Sequence, residues 1–155
     1  MAKNLRFLPE IPDGMRIFAH DEEVAGVQYR LSNAKAFAKG RDHQLRLERE
    51  PSNRHDPYAI KVMGIYKGWF SSHEVHIGYV PADVAKSIAE REMFSRIRPR
   101  LKNIWWGGYV RDFIIVRFDI LQPKPPCEPR AVKPKAGRSK KKSPAAPSNN
   151  PPATS

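Results

Sequence analysis

Hydrophobic and polar residues alternate with a period of two along much of the first 122 positions, a pattern typical of β-strands with one buried face. The clearest case is segment 43–49, where Leu45 and Leu47 share one face and Arg46 and Glu48 share the other. The same signal predicts strands over 15–19, 24–31, 58–65, 75–81, 94–106 and 109–121, with loops over 32–42 and 68–73. About six strands in 100 residues indicate a mainly β fold, a curled sheet or small barrel.

One segment, 82–92, has the helical period instead. Its apolar positions Val84, Ala85, Ile88 and Ala89 lie on one face, and Asp83 is favourable near the N-terminal end of a helix. One or two helices are therefore expected beside the strands.

The composition changes sharply at position 122. The segment 122–155 contains nine of the 15 prolines, a basic run at 138–142 and almost no large apolar residue. Such a segment cannot bury enough surface to offset the entropy of ordering, so it is predicted to be a disordered basic tail. The predicted organisation is an extended lead-in over 1–21, a β domain over 22–121 and the tail.

Charge favours a polyanionic partner. The chain has 28 Lys and Arg against 16 Asp and Glu, a net charge of +12, and the excess is concentrated in the tail. The single cysteine, Cys127, excludes an intrachain disulfide and a Cys-based zinc site. Neither a secretory signal nor a membrane span is found in the sequence, so we expect a cytoplasmic, nucleoid-associated protein.

A row of cations is the first candidate site. On a single strand, the period of two would place four cations and one aromatic ring on one face: Arg96, Arg98, Arg100, Lys102 and Trp106. Cations with an interleaved aromatic residue are typical of single-strand binding, because charges follow the backbone and rings stack on bases. Arg111 and Arg117 share one parity on the last strand and could extend the row. A solvated strand face remains the alternative.

Catalytic and metal chemistry receive little support. His73 and His76 would point to opposite faces of a strand, so no metal or other cofactor is expected. Glu50, Asp56 and Lys61 lack the spacing of a nuclease carboxylate cluster. No phosphate-binding GxxxxGK[ST] loop and no GxSxG elbow occurs, and so we expect a protein without catalytic activity.

The connection between the strands at 43–49 and 58–65 is unusual. It reads REPSNRHDPYAIKV over 49–62, with two prolines and no glycine, where a hairpin turn would be shorter and usually contain glycine. Together with VAGVQY at 24–29 and IGYVP at 77–81 before the helix, this segment resembles the HIRAN domain family. The resemblance covers about residues 22–121 and is closest to the short stand-alone bacterial and phage members.

The resemblance implies an OB-like β-barrel that binds single-stranded DNA and captures its free 3′ end. Asp56 would accept a hydrogen bond from the terminal 3′-hydroxyl and repel a phosphate at that position. Asn53 would hold the loop or the terminal nucleotide, Tyr29 would stack on a base, and Lys61 would meet phosphate. Gln28, His55 and Tyr79 stand where family members carry Arg, Tyr and His, and they complete the implied site.

These observations together predict a nucleic-acid-binding module for single-stranded DNA ends in repair or replication-fork processing. A helicase or other repair enzyme would act in trans. The alternative is a protein-interaction adaptor that recruits such an enzyme, with the basic tail as a docking or non-specific DNA-binding segment.

Overall fold

The computed structural model describes residues 2–108 and 110–126. It contains seven strands and two α-helices: β1 Lys3–Arg6, β2 Met15–Glu23, α1 Leu31–Lys39, β3 Arg41–Arg49, β4 Ile60–Lys67, β5 Ser72–Tyr79, α2 Ala82–Glu90, β6 Arg98–Gly107 and β7 Phe113–Pro123. Short 3₁₀ helices cover Val27–Arg30 and Phe94–Arg96. The prediction of a mainly β fold with one or two helices is confirmed.

The strands form two antiparallel sheets. The four-stranded sheet has the order β1-β6-β7-β2, and the three-stranded sheet has the order β3-β4-β5. Within the described residues these two ladders do not join into one closed hydrogen-bonded barrel. Both sheets and both helices contribute to one core, which includes Phe37, Val62, Ile77, Ile88 and Phe118.

Seven predicted elements, six strands and one helix, agree with the structure to within about four residues at their ends. Burial alternates as expected along β4, where Ile60 and Val62 are buried, and along β7, where Val116 and Phe118 are buried. In α2, Ile88 lies in the core as the helical period predicted. The predicted start of the tail, residue 122, is two residues too early, because Gln122 and Pro123 belong to β7. From residue 127 the tail lies outside the described residues.

The segment 24–40 was predicted wrongly. In place of a strand over 24–31 and a loop, the chain forms the 3₁₀ helix Val27–Arg30 and then α1. The helix buries Ala34, Phe37 and Ala38, a helical spacing that the β-forming residues before it obscured. Helix α1 ends at Gly40, whose N–H donates to the carbonyls of Ala36 and Phe37. A side chain at this position would collide with the Tyr66 ring.

The predicted single row of cations is also wrong. Arg96 lies in a 3₁₀ helix before β6, and the pairing of β6 with β7 shifts register between Leu101 and Asn103. One extra residue in a strand reverses the faces that follow it. Trp106 therefore packs against the core, with the Lys39 ammonium 5.5 Å from its ring centroid, and does not continue the face of Arg98.

Two cations of β6, Arg100 and Lys102, form ion pairs with carboxylates. Asp119 is 1% exposed, and its Oδ2 accepts a hydrogen bond from Arg100 Nη1 at 2.9 Å, while its Oδ1 accepts one from the Asp21 N–H at 2.7 Å. Lys102 donates to Asp21 Oδ1 at 3.0 Å and lies 3.8 Å from Asp119 Oδ1. The Lys102 ammonium lowers the pKa of Asp21. Arg117 also pairs with Asp21, at 2.8 Å. These cations thus hold β2, β6 and β7 together.

None of the helices in the described ranges is long and apolar enough to cross a membrane.

We expect Asp119→Ala to lower the free energy of unfolding by about 3 kcal/mol, because it leaves Arg100 and the Asp21 N–H without their buried partner. Urea unfolding followed by circular dichroism measures this loss. The matched control is Glu48→Ala, which removes an exposed carboxylate from Arg46 and should cost under about 1 kcal/mol. Similar losses for the two variants would show that the Asp119 cluster is not structural.

Candidate nucleic-acid interface

The loop between β3 and β4 is shaped by its own side chains. Asn53 Oδ1 accepts hydrogen bonds from the N–H groups of His55 at 2.9 Å and Asp56 at 3.1 Å. Asp56 Oδ1 accepts one from the Tyr58 N–H at 2.8 Å. Asn and Asp commonly cap turns in this way. The loop therefore has a defined shape without glycine, and Arg54 and His55 are left exposed on it.

The Glu50 carboxylate joins this loop to strands β4 and β5. Glu50 Oε2 accepts hydrogen bonds from Asn53 Nδ2 at 2.8 Å and from the Tyr79 hydroxyl at 2.9 Å, and Glu50 Oε1 lies 3.1 Å from Lys61 Nζ. The hydrogen bonds from Asn53 and Tyr79, with the charge of Lys61, lower the pKa of Glu50 to about 2. Glu50 is thus ionised across the physiological range and fixes Asn53, Lys61 and Tyr79 together.

Tyr79 brings a second segment to the same place. Its backbone pairs with Ala25, through N–H to O distances of 2.8 and 2.9 Å in the two directions. This approach requires Gly78, because a side chain there would collide with the Ala25 carbonyl oxygen. The turn that follows Ala25 uses Gly26 at φ 76°, a left-handed conformation that favours glycine. The 3₁₀ helix with Gln28 and Tyr29 is positioned by this contact.

An aromatic ring and a guanidinium group are presented by that helix. The Tyr29 side chain is 85% exposed. The guanidinium carbon of Arg30 lies 5.7 Å from the centroid of the Tyr79 ring, whose edge meets the His76 ring at a centroid distance of 4.9 Å. Burial is the main cause that lowers the pKa of His76. Exposed rings beside cations can stack on bases and meet phosphates.

A cleft of about 440 Å³ lies at the base of the loop, where Arg49 and Tyr58 flank it. Tyr58 and Phe94 line it, and the Arg49 guanidinium lies 5.8 Å from the Phe94 ring centroid. The cleft also contains Ser95, and so it links the loop to the 3₁₀ helix that ends at Arg96. A larger cleft, of about 540 Å³, has Gln28 in its wall.

The structure connects half of the residues predicted for the site. The contacts of Glu50 and the backbone pairing of Tyr79 with Ala25 connect six of them: Asn53, Asp56, Lys61, Tyr79, Gln28 and Tyr29. His55 is exposed on the same loop. Arg96 and Arg98 are exposed, whereas Arg100 and Lys102 belong to the Asp119 cluster and Trp106 packs against the core.

From its sequence context, Glu50 was considered only as a carboxylate unsuited to a nuclease. Its partners Lys61 and Tyr79 are 11 and 29 positions away, and only the pairing of β4 with β5 brings them opposite each other. Arg30, Tyr58 and Phe94 were also missed. No cluster of three or more possible metal ligands occurs in the described ranges.

A small β domain with exposed rings and cations around a rigid loop belongs to the class of nucleic-acid-binding modules. Residues 17–92 match the HIRAN domain, and the chain is a HIRAN domain protein, as the resemblance predicted. HIRAN domains bind nucleic acid and are not catalytic. Comparison with curated proteins and with solved structures found no match.

We expect Glu50→Gln to lower the melting temperature at pH 7, because the variant loses the carboxylate charge opposite Lys61. A carboxyl whose pKa is depressed in the folded state stabilises the fold above its unfolded value of about 4.5, and this contribution is lost as the pH falls toward about 2. The gap in melting temperature between wild type and variant should therefore narrow over that range. Calorimetry between pH 7 and pH 3 measures it, and an equal gap at both ends would contradict this role.

Proposed function

We propose that this chain is a single-stranded DNA-binding module that prefers free 3′ ends and acts in DNA repair or replication-fork processing. The observation that carries the proposal is the frame of Glu50 and Tyr79, which fixes the Asp56 loop and the Tyr29 helix to the same pair of strands. A preformed surface of this kind can bind a strand end without the cost of ordering a loop.

Asp56 is placed to distinguish a hydroxyl from a phosphate. Its Oδ1 holds the Tyr58 N–H, and among the described residues its Oδ2 has no hydrogen-bond partner. A free 3′-hydroxyl can donate to that oxygen, whereas a 3′-phosphate or a continuing chain brings a second negative charge against it. The carboxylate then favours ends that carry a hydroxyl.

Stacking and charge supply the remaining affinity. Tyr29 offers an open ring for a terminal base, and His55 is exposed beside Asp56. The Lys61 ammonium is paired with Glu50, so in this proposal Lys61 has a smaller share of phosphate binding than unpaired cations. The exposed Arg54, Arg96 and Arg98 have no ion-pair partner in the described ranges and are better suited to phosphates.

We expect Asp56→Asn to narrow the preference for a 3′-hydroxyl over a 3′-phosphate, chiefly by strengthening binding of the phosphate. Asparagine keeps an oxygen for the Tyr58 N–H, so the loop retains its shape while the charge is lost. Fluorescence anisotropy with two strands that differ only at the 3′ end measures the preference. The matched control is Asp42→Asn, an exposed carboxylate paired with Lys67. An unchanged preference in Asp56→Asn, or no preference in wild type, would count against end recognition.

We also expect Arg98→Ala to reduce the slope of log affinity against log salt by about 0.7, the value of one phosphate contact on a single strand. The control is Arg46→Ala, whose guanidinium is already paired with Glu48 and Glu74. That variant should leave the slope unchanged. Titrations at four salt concentrations decide the point, and equal slopes for wild type and Arg98→Ala would place Arg98 outside the interface.

A further inference from the structure

The hairpin that joins β4 to β5 ends in two fully solvated aromatic rings. Trp69 is 91% exposed and Phe70 is 100% exposed, and both lie in the turn closed by the hydrogen bond from the Gly68 N–H to the Ser71 carbonyl at 2.9 Å. A tryptophan and a phenylalanine side by side in water contribute nothing to the core. Exposed apolar surface of this kind marks an interaction site more often than chance.

The turn is held in place from both sides. Arg41 Nη2 donates to the Gly68 carbonyl at 3.3 Å, and Lys67 Nζ lies 2.9 Å from Asp42 Oδ2. On the other strand, the His73 ring stacks on Tyr66 at a centroid distance of 5.3 Å. The two rings are thus presented by a braced hairpin, so an incoming group meets them already positioned.

The size of the patch argues against a stable protein partner. Two aromatic side chains offer about 300–500 Å², roughly half of what each partner buries in a standard protein interface. The adjoining exposed residues are polar: Lys67, Ser71 and Ser72. A nucleobase, in contrast, needs only the face of one ring, and the Arg41 guanidinium lies at the base of the turn.

The position of the turn with Trp69 and Phe70, hereafter the tip, also suits a DNA strand whose 3′ end is bound at the proposed end site. Lys61 and Tyr79 lie opposite each other at the far end of the same hairpin, six residues along β4 from Lys67. At about 3.3 Å per residue this is roughly 20 Å. Site sizes of about 4–16 nucleotides are usual for one OB-type module, so a single strand can reach both points.

We infer that Trp69 and Phe70 form a second base-stacking site, which binds an unpaired base several nucleotides upstream of the captured 3′ end. This inference rests on the proposed single-strand binding. A second stacking site makes the affinity depend on the length of the DNA strand, because a very short strand reaches the end site but not the tip.

The test uses the intact chain and two single strands with the same 3′ sequence and a free 3′-hydroxyl, of three and twelve nucleotides. Wild type should bind the longer strand more tightly, and the double variant Trp69→Ala, Phe70→Ala should lose about ten-fold on the longer strand while binding the shorter one as before. Trp69→Phe is the matched control, because it keeps a ring and should keep most of the affinity.

Tryptophan emission gives a second readout. Of the three tryptophans, Trp69 is the exposed one, whereas Trp105 and Trp106 are partly buried in β6. The twelve-nucleotide strand should quench the emission of wild type, and Trp69→Phe should lose this response while still binding. Quenching by the three-nucleotide strand to the same extent would overturn the assignment.

The two proposals fail in different ways. Loss of the 3′-hydroxyl preference with retained length dependence overturns end capture and leaves the tip as a stacking site. An equal loss on both strand lengths in the double variant overturns the tip. Absence of DNA binding combined with tip-dependent binding to vesicles that contain phosphatidylserine would assign the two rings to a membrane surface instead.

Discussion

The ionised Glu50 carboxylate is the interaction on which the candidate interface depends. It sits at the end of β3 and is bound by a loop amide, a strand ammonium and a strand hydroxyl at once. Because these three groups come from separate parts of the chain, one charge sets the position of the loop relative to β4 and β5. Removal of that charge leaves Lys61 beside the loop without its counter-ion, and removal of the whole side chain also takes away the acceptor of the Asn53 and Tyr79 hydrogen bonds.

The two sheets use charge in different ways. In the four-stranded sheet, the buried Asp119 forms ion pairs with Arg100 and Lys102, and so part of the positive charge of the chain is structural. In the three-stranded sheet, Glu50 organises groups at the surface and leaves Arg30 and Arg54 in reach of a ligand. Net charge alone therefore overstates how many cations are available to a polyanion.

The sequence was most informative where burial is periodic. The strands with one buried face and the helix around Ile88 were predicted because alternation or helical spacing follows directly from packing on one side. Helix α1 was missed because Val27 and Tyr29 have β propensity, although the spacing of Ala34, Phe37 and Ala38 and the following Gly40 indicate a helix. Local preference there is overridden by packing against Tyr66 and the core.

The site was predicted in part for the same reason. The loop residues Asn53 and Asp56 are only three positions apart in the sequence, so the REPSNRHDP segment pointed to them. The register shift in β6 and the contacts of Glu50 depend on pairing between distant strands, and no local pattern indicates them. A one-residue bulge was enough to turn Trp106 away from the cations that precede it.

In the loop between β3 and β4, the side chains that set the backbone shape differ from the side chains that are free to contact a ligand. Asn53 and Asp56 fold it through backbone N–H groups, which every residue other than proline supplies, so the identities of Ser52, Arg54 and His55 are irrelevant to its geometry. Substitutions at those three positions alter what the loop touches and leave Asp56 where it is. The loop thus provides a fixed frame with outward side chains that can be exchanged, so its ligand contacts can change while its backbone shape is kept.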